Sequence, residues 1–176
     1  MSSPNRDLGP CVVVWDEAGV NEVFHKTFGG VFFRYEELRT PIRRDQEGET
    51  DVSEVTIGAT NPEVEVPLTQ EECARLRHCF ADATAGVTGG QKFLKVRNPV
   101  GVDVLPFAKQ LIVKPISNGL VSILPGEWLY LHKAFPRITM EQAYDNSGQR
   151  AVKVIFKGFP DVQSGRTREM WRYGPD

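Results

Sequence analysis

Cysteine and histidine are the residues of this sequence best suited to chemistry, and they come closest together at Cys73, His78 and Cys79. A thiol enzyme needs a thiolate in an electropositive, partly exposed setting beside a base. Cys73 instead falls on the apolar stripe of a predicted helix, where it packs as a small hydrophobic side chain. A zinc site needs further ligands, but no second C-x-x-C or H-x-x-x-H arm exists, and His25 and His132 are scattered. We therefore predict no thiol chemistry, no metal and no cofactor.

Paired carboxylates are the second candidate for chemistry, and they occur at Glu36 and Glu37, at Glu63 and Glu65, and at Glu71 and Glu72. General acid and base catalysis needs one carboxyl in an apolar setting beside another that stays solvated, and nothing in the sequence marks such an environment. The Gly-Gly pairs at 29–30 and 89–90 lack the spacing of a phosphate-binding loop, so they predict turns. The sequence therefore predicts a protein that is not an enzyme.

Length and composition favour an ordinary globular domain. The chain has 176 residues, of which 40% are hydrophobic, and its formal net charge of -2 argues against a generic binder of nucleic acid. Three cysteines without framework spacing favour a reducing compartment, hence synthesis in a cytoplasm. The N-terminal segment 1–10 is polar, and no apolar run approaches the roughly 20 residues that span a bilayer. We expect neither a signal peptide nor a membrane span.

Charge is distributed unevenly along the chain. Between Glu36 and Glu72 lie eleven carboxylates against only three arginines, whereas the stretch from Lys133 to Asp176 carries eight Lys or Arg against five acids. Surfaces of opposite sign on one chain are compatible with head-to-tail association of identical copies, in which one face meets a different face of the neighbour. Solvated faces that merely differ in charge are the alternative.

Alternating and β-branched segments predict several strands. They are Val12–Trp15, 31–38, 51–58, 63–68, the FLKV segment, 100–116 with a short turn or bulge around Phe107, 128–135 and 150–159. One helix is predicted from Thr69, which forms a T-x-x-E capping box with Glu72, to a stop at Gly86. Its apolar stripe holds Cys73, Leu76, Phe80 and Ala83. Together these elements predict a mainly β chain with one flanking α-helix, an antiparallel β-sandwich or partial barrel. We expect a single domain over 1–176, with flexible segments at 1–10 and 163–176.

A long polar loop is predicted from Arg39 to Asp51. It contains almost no apolar residues, and Pro41 and Gly48 oppose regular structure. Since strands are predicted on both sides, the segment is the extended tip of a hairpin. Loops of this length inside a compact domain are uncommon and usually either serve a function or remain disordered, and we favour a function here.

Taken in order, these features resemble the tail tube proteins of tailed bacteriophages. The likeness covers roughly residues 30–161: a strand pair with a long polar tip, an acidic strand, a capped helix, and a final V-x-V-x-F strand with its ending. The residues of that last part are Val152, Val154, Phe156, Gly158, Pro160 and Asp161. The pattern is an order of features rather than an invariant signature.

The resemblance implies a fold of the phage tail tube type and a virion protein without catalytic residues. It implies hexameric rings that stack into a tube, conduct DNA into the host, and contact the tape measure protein, the tail terminator and, in contractile tails, a sheath. It also implies that the hairpin tip reaches the adjacent ring, through Arg39, Arg43, Arg44, Asp45, Glu47, Glu49 and Asp51. An acidic wall would let DNA slide past, and the candidates for this wall are Glu36, Glu54, Glu63 and Glu65.

Three alternatives stay open at this stage. The first is another virion component, such as a tail terminator, a baseplate ring protein or a head decoration subunit. The second is a small-ligand-binding β-barrel whose pocket is lined by Trp128, Tyr130 and Phe135. The third is a hydrolase or thiol enzyme, which ranks last because no nucleophile and base come together.

Overall fold

The computed structural model describes residues 10–24, 30–43, 51–69, 73–140, 151–162 and 169–175. Within these ranges the chain forms thirteen strands and one short α-helix. The strands are β1 (Cys11–Trp15), β2 (Glu22–Phe24), β3 (Phe32–Arg34), β4 (Glu37–Arg43), β5 (Asp51–Ala59), β6 (Glu63–Thr69), β7 (Ala83–Thr88), β8 (Gln91–Val96), β9 (Lys109–Ser117), β10 (Leu120–Val121), β11 (Leu129–Met140), β12 (Ala151–Phe159) and β13 (Trp171–Tyr173). The helix, α1, is Cys73–Leu76.

Nine of the strands form one antiparallel sheet. Its order is β2-β1-β9-β11-β12-β6-β3, with β10 on β9 and β13 on β11. Two further pairs, β4 with β5 and β7 with β8, form separate two-stranded sheets. The prediction of a mainly β, antiparallel chain is confirmed. The described strands do not close a barrel, since the path of the large sheet ends at β2 and at β3.

The core lies on one face of the large sheet, where strand alternation places apolar side chains. Val64, Val66 and Leu68 of β6 are buried, and so are the even-numbered residues of β12 that face the same way. Phe156 of β12 meets Phe24 of β2 edge to face, with ring centroids 5.5 Å apart. All five residues of β1 are buried, and the Trp15 indole Nε1–H donates to the Ala134 carbonyl at 2.9 Å.

The predicted long helix is wrong. Thr69 ends β6, residues 70–72 of the predicted cap lie outside the described ranges, and α1 covers four residues before a 3-10 turn at Arg77–Cys79. Ala83 then opens β7, and Gly86 lies inside this strand beneath the ring of Phe93. The reason lies in the residues of β7, because two threonines, a valine and a glycine are poor helix formers.

The region predicted as one strand and a loop folds differently. The segment 31–38 divides between β3, which pairs with β6, and β4, which pairs with β5. The predicted loop is wrong over 39–43, because these residues form most of β4. Pro41 is tolerated there because this two-stranded pair leaves each strand with one unpaired edge, where a missing N–H costs no ladder bond. The hairpin itself is present.

Part of the C-terminal segment predicted to be flexible forms a strand. β13 pairs with β11 through Leu131 and Trp171, and the Trp171 ring lies 5.1 Å from that of Phe33. Glu169 supports this placement, since its Oε2 lies 3.2 Å from His132 Nε2 and its carbonyl accepts the Asp161 N–H at 2.9 Å. The flexibility of segment 163–176 stays a prediction, and the structure gives the strand and the contacts described here to residues 169–175.

Candidate assembly surfaces

The hairpin of β4 and β5, which we call the contact ribbon (residues 37–43 and 51–59), has one apolar and one polar face. Thr40 lies opposite Val55 and Ile42 lies opposite Ser53, so these four side chains share a face with Leu38. Leu38, Ile42 and Val55 are each almost half exposed. A two-stranded hairpin is marginally stable alone in water, and this one leaves its apolar face open. The apolar face of the ribbon is therefore a candidate contact surface.

The polar face of the contact ribbon is organised around Arg39. Its guanidinium lies 2.9 Å from Glu37 Oε2 and 3.7 Å from Glu54 Oε2, and all three side chains are exposed. The hydrogen bond to Glu37, followed by the charges of Glu37 and Glu54, raises the pKa of Arg39. At the base of the ribbon, the Glu36 carbonyl accepts the Thr60 N–H at 2.8 Å. Arg39 thus pairs with two carboxylates of its own ribbon and offsets part of the negative charge of Glu37 and Glu54.

The residues predicted to contact an adjacent ring divide into three groups. Arg39 is exposed on β4. Arg43 and Asp51 lie opposite each other at the far end of the ribbon ladder. Arg44, Asp45, Glu47 and Glu49 lie outside the described residues. The described part thus places Arg39 on the exposed ribbon and Arg43 and Asp51 at its far end.

The four predicted wall residues do not share one sheet. Glu36 and Glu54 belong to the contact ribbon and its base, whereas Glu63 and Glu65 lie on β6, on the face opposite the core. Glu65 lies between two cations, with Lys153 Nζ at 2.7 Å and Arg34 Nη1 at 3.2 Å. These partners offset the negative charge that Glu65 was expected to contribute.

A largely apolar pocket of about 310 Å³ lies on the side of the large sheet that carries Glu63 and Glu65, and we call it the outer pocket. Phe135 of β11 and Ile155 and Phe159 of β12, which point away from the core, contribute to its lining. Phe80 and Val104 line it from the connections on either side of the β7–β8 pair. Three charged residues also border it, namely Glu63, Arg137 and Lys157.

Of the cysteine and histidine cluster, the structure describes the side chains of His78 and Cys79. The Arg77 Nε–H donates to His78 Nε2 at 3.1 Å, a bond that this nitrogen accepts when it carries no proton. Burial, with a further contribution from the Arg77 charge, lowers the pKa of His78, which agrees with this bond. The Glu22 carboxylate at 3.3 Å from the same nitrogen would bind it only in the protonated form. Cys79 is buried in the core, and the described residues contain no group of metal ligands.

The thiol of Cys11 gives a direct test of the prediction that this chain has no reactive cysteine. Burial in β1 raises the pKa of Cys11 to about 11, so the thiolate is scarce at neutral pH. We expect iodoacetamide at pH 8 to leave Cys11 unmodified in the folded protein and to modify it in urea, as read by peptide mass spectrometry. A Cys11→Ser variant identifies the peptide. Rapid modification of Cys11 in the folded chain would contradict the assignment.

The residues predicted to line a ligand pocket do not come together. Trp128 and Tyr130 neighbour each other, with ring centroids 6.1 Å apart, while Phe135 lines the outer pocket, to which they do not contribute. Lys114 Nζ lies 4.1 Å from the Trp128 centroid, and the Arg172 guanidinium lies 4.6 Å from that of Tyr130. Sequence reasoning missed this cation–π row because its members are far apart in the chain. The prediction of that three-residue pocket is wrong.

Comparison with known proteins adds no identification. No protein-family model matches the chain, and no curated protein matches it. No helix in the described ranges has the length and apolarity needed to cross a membrane. The function is therefore argued from the surfaces described above.

Proposed function

We propose that this chain is a structural virion protein that assembles with copies of itself into stacked hexameric rings, as the tail tube of a tailed bacteriophage. In this proposal the fold is of the tail tube type, the protein has no catalytic activity, and DNA passes through the channel during infection. The observation that carries the proposal is the contact ribbon, which exposes Leu38, Ile42 and Val55 on one face. Exposed apolar faces of this kind mark sites of association.

The large sheet supports the same proposal. Among the described residues its path ends at β2 and β3, so each of these strands has an edge with no described neighbour in that sheet. Such edges invite pairing with another chain, and ring closure removes them. Stacking through unlike faces gives an open filament from one repeated contact. Self-association would thus pair the sheet edges and bury the apolar face of the ribbon.

The channel and the further partners belong to the same proposal. Glu36, Glu54, Glu63 and Glu65 remain the predicted channel residues, although the two cations at Glu65 reduce the charge it would bring to an acidic wall. The tape measure protein, the terminator and, in a contractile tail, the sheath are the expected protein partners. The expected location is the virion tail, after synthesis in the host cytoplasm.

Replacing Val55 by Asp tests the proposal. A carboxylate on the apolar face of the contact ribbon would have to be desolvated at the contact, so stacking should be lost. Wild-type protein should form rings and tubes in electron micrographs and sediment as large species, while the variant should stop at single rings or smaller species.

The matched control is Val87→Asp on the other two-stranded pair, where Val87 is 65% exposed. This variant should assemble like the wild type. A wild-type protein that stays monomeric at high concentration would contradict the proposal. Particles that contain one ring of this chain would instead support a terminator or baseplate component over a tube.

A further inference from the structure

The contact ribbon and the outer pocket are complementary in chemistry. The ribbon offers a row of aliphatic side chains, Leu38, Ile42 and Val55, that are almost half exposed. The pocket offers an apolar lining that includes Phe135 and Ile155. Its volume of about 310 Å³ lies at the lower end of the roughly 300–1,000 Å³ typical of ligand sites, a size suited to a few inserted side chains.

Charge favours the same pairing. The described ribbon and its base, residues 36–43 and 51–59, carry four carboxylates against two arginines, a balance of -2. The sheet face around the pocket has the opposite sign. Lys133 also lies on this face, but Asp161 Oδ1 at 3.1 Å offsets its charge. The remaining carboxylates, Glu63 and Glu65, are outnumbered by four cations, a balance of +2; the cations are Arg34, Arg137, Lys153 and Lys157. Opposite potentials steer two surfaces into contact and fix their register.

The ribbon of the same chain does not fill the pocket. None of the described residues of β4 or β5 contributes to its lining, which comes from β6, β11, β12 and the segments around Phe80 and Val104. The two surfaces are also different patches of one molecule. A contact between them is heterologous, so it repeats from copy to copy without self-closure unless the rotation closes a ring.

We propose that the outer pocket receives the apolar face of the contact ribbon from a second copy of this chain. This inference rests on the proposed function and names the receiving surface. Val55 and its aliphatic neighbours insert beside Phe135, Ile155 and Phe159, while Arg137 and Lys157 lie beside the acidic ribbon. Glu63 then borders the contact between copies and no longer belongs to the channel wall.

Complementation between two defective variants tests the inference. Val55→Asp damages the ribbon and keeps the pocket, whereas Ile155→Asp damages the pocket and keeps the ribbon. Each variant alone should fail to stack. A 1:1 mixture should form paired layers and no longer tubes, because only one ribbon-to-pocket contact is intact between the two kinds of layer. Electron microscopy and sedimentation velocity measure the number of layers.

Lys157→Glu provides a pocket variant that does not threaten the fold, since Lys157 is exposed. It should raise the protein concentration needed for stacking about tenfold, with the effect weakening at high salt. Leu120→Asp, on an exposed position of β10 away from the pocket lining, should assemble normally.

The outcomes separate this inference from the proposed function. The pocket is not the receiving surface if Ile155→Asp and Lys157→Glu both assemble like the wild type. The same holds if the mixture of Val55→Asp and Ile155→Asp shows only the species that each variant forms alone. Neither result contradicts tube assembly itself. If the wild type never associates, both proposals fail.

Discussion

Replacing Phe156 by Ala should lower the free energy of unfolding by about 3–5 kcal/mol, the usual cost of truncating a fully buried aromatic ring. Phe156 has no exposed surface, and its ring packs edge to face on Phe24 of β2. The truncation therefore leaves a cavity in the core and removes a contact that links β12 to the far side of the sheet. Urea denaturation followed by tryptophan fluorescence measures the change.

Phe32→Ala is the matched control, because Phe32 is 51% exposed on the edge strand β3. The same truncation there should cost less than about 1 kcal/mol, since much of the ring already contacts water. Equal losses at the two positions would show that the core is not where the structure places it.

Replacing Gly158 by Ala should also destabilise the fold, by about 1–3 kcal/mol, the range seen when a packed core receives extra volume. A Cβ at this position would lie 2.6 Å from Pro62 Cγ and 3.1 Å from Leu131 Cδ2. Removing these close contacts requires β12 to move away from Pro62. Two hydrogen bonds oppose this movement: the Gly158 N–H donates to the Pro62 carbonyl at 2.7 Å, and the Gly158 carbonyl accepts from Asn61 Nδ2 at 2.6 Å. A lower melting temperature measured by circular dichroism is the expected result.

The control for this substitution is Gly126→Ala, where an added Cβ meets no atom within 4 Å. That variant should melt within a degree or two of the wild type or slightly above it, because alanine restricts the unfolded chain. A melting temperature of Gly158→Ala equal to that of Gly126→Ala would contradict the close approach of β12 to Pro62.

Strands with strict alternation could be predicted from the sequence. In β6, apolar Val64 and Val66 alternate with Glu63 and Glu65, and the structure buries the first pair and leaves the second on the opposite face. The period of two decides such a strand because only one register buries its apolar side. Which strands become neighbours could not be predicted, since β1 pairs with β9 through contacts that leave no local mark.

The helix was mispredicted because one local signal was given too much weight. A capping box marks a possible start, but the length of a helix depends on the residues that follow and on the surface that covers them. Leu76 reaches the core and Phe80 packs against it, as the predicted stripe required, and a short helix with a 3-10 turn is enough to place them. The β-branched residues of β7 then find a strand partner in β8.

For the assembly surfaces, the sequence predicted the hairpin but not its faces. Because segment 39–51 is mostly polar, the sequence did not predict the apolar row formed by Leu38, Ile42 and Val55. These residues come together only when β4 and β5 pair in the observed register. The prediction of an acidic wall also missed the contacts of Lys153 and Arg34 with Glu65, because these residues come together only through strand pairing. Cross-strand neighbours depend on register, which single-sequence patterns do not define here.

The place of β1 in the sheet has a consequence for the timing of folding. The CVVVW strand is buried at every position, and its long partner β9 lies about a hundred residues later, with Val13 opposite Val113. During synthesis β1 leaves the ribosome well before β9 exists, so only the short strand β2 can pair with it, and its other edge stays open until β9 is made. Sheets closed by such distant pairs fold slowly, in about milliseconds to seconds, and during that time the open edge of an apolar, β-prone strand can pair with the same strand of another chain.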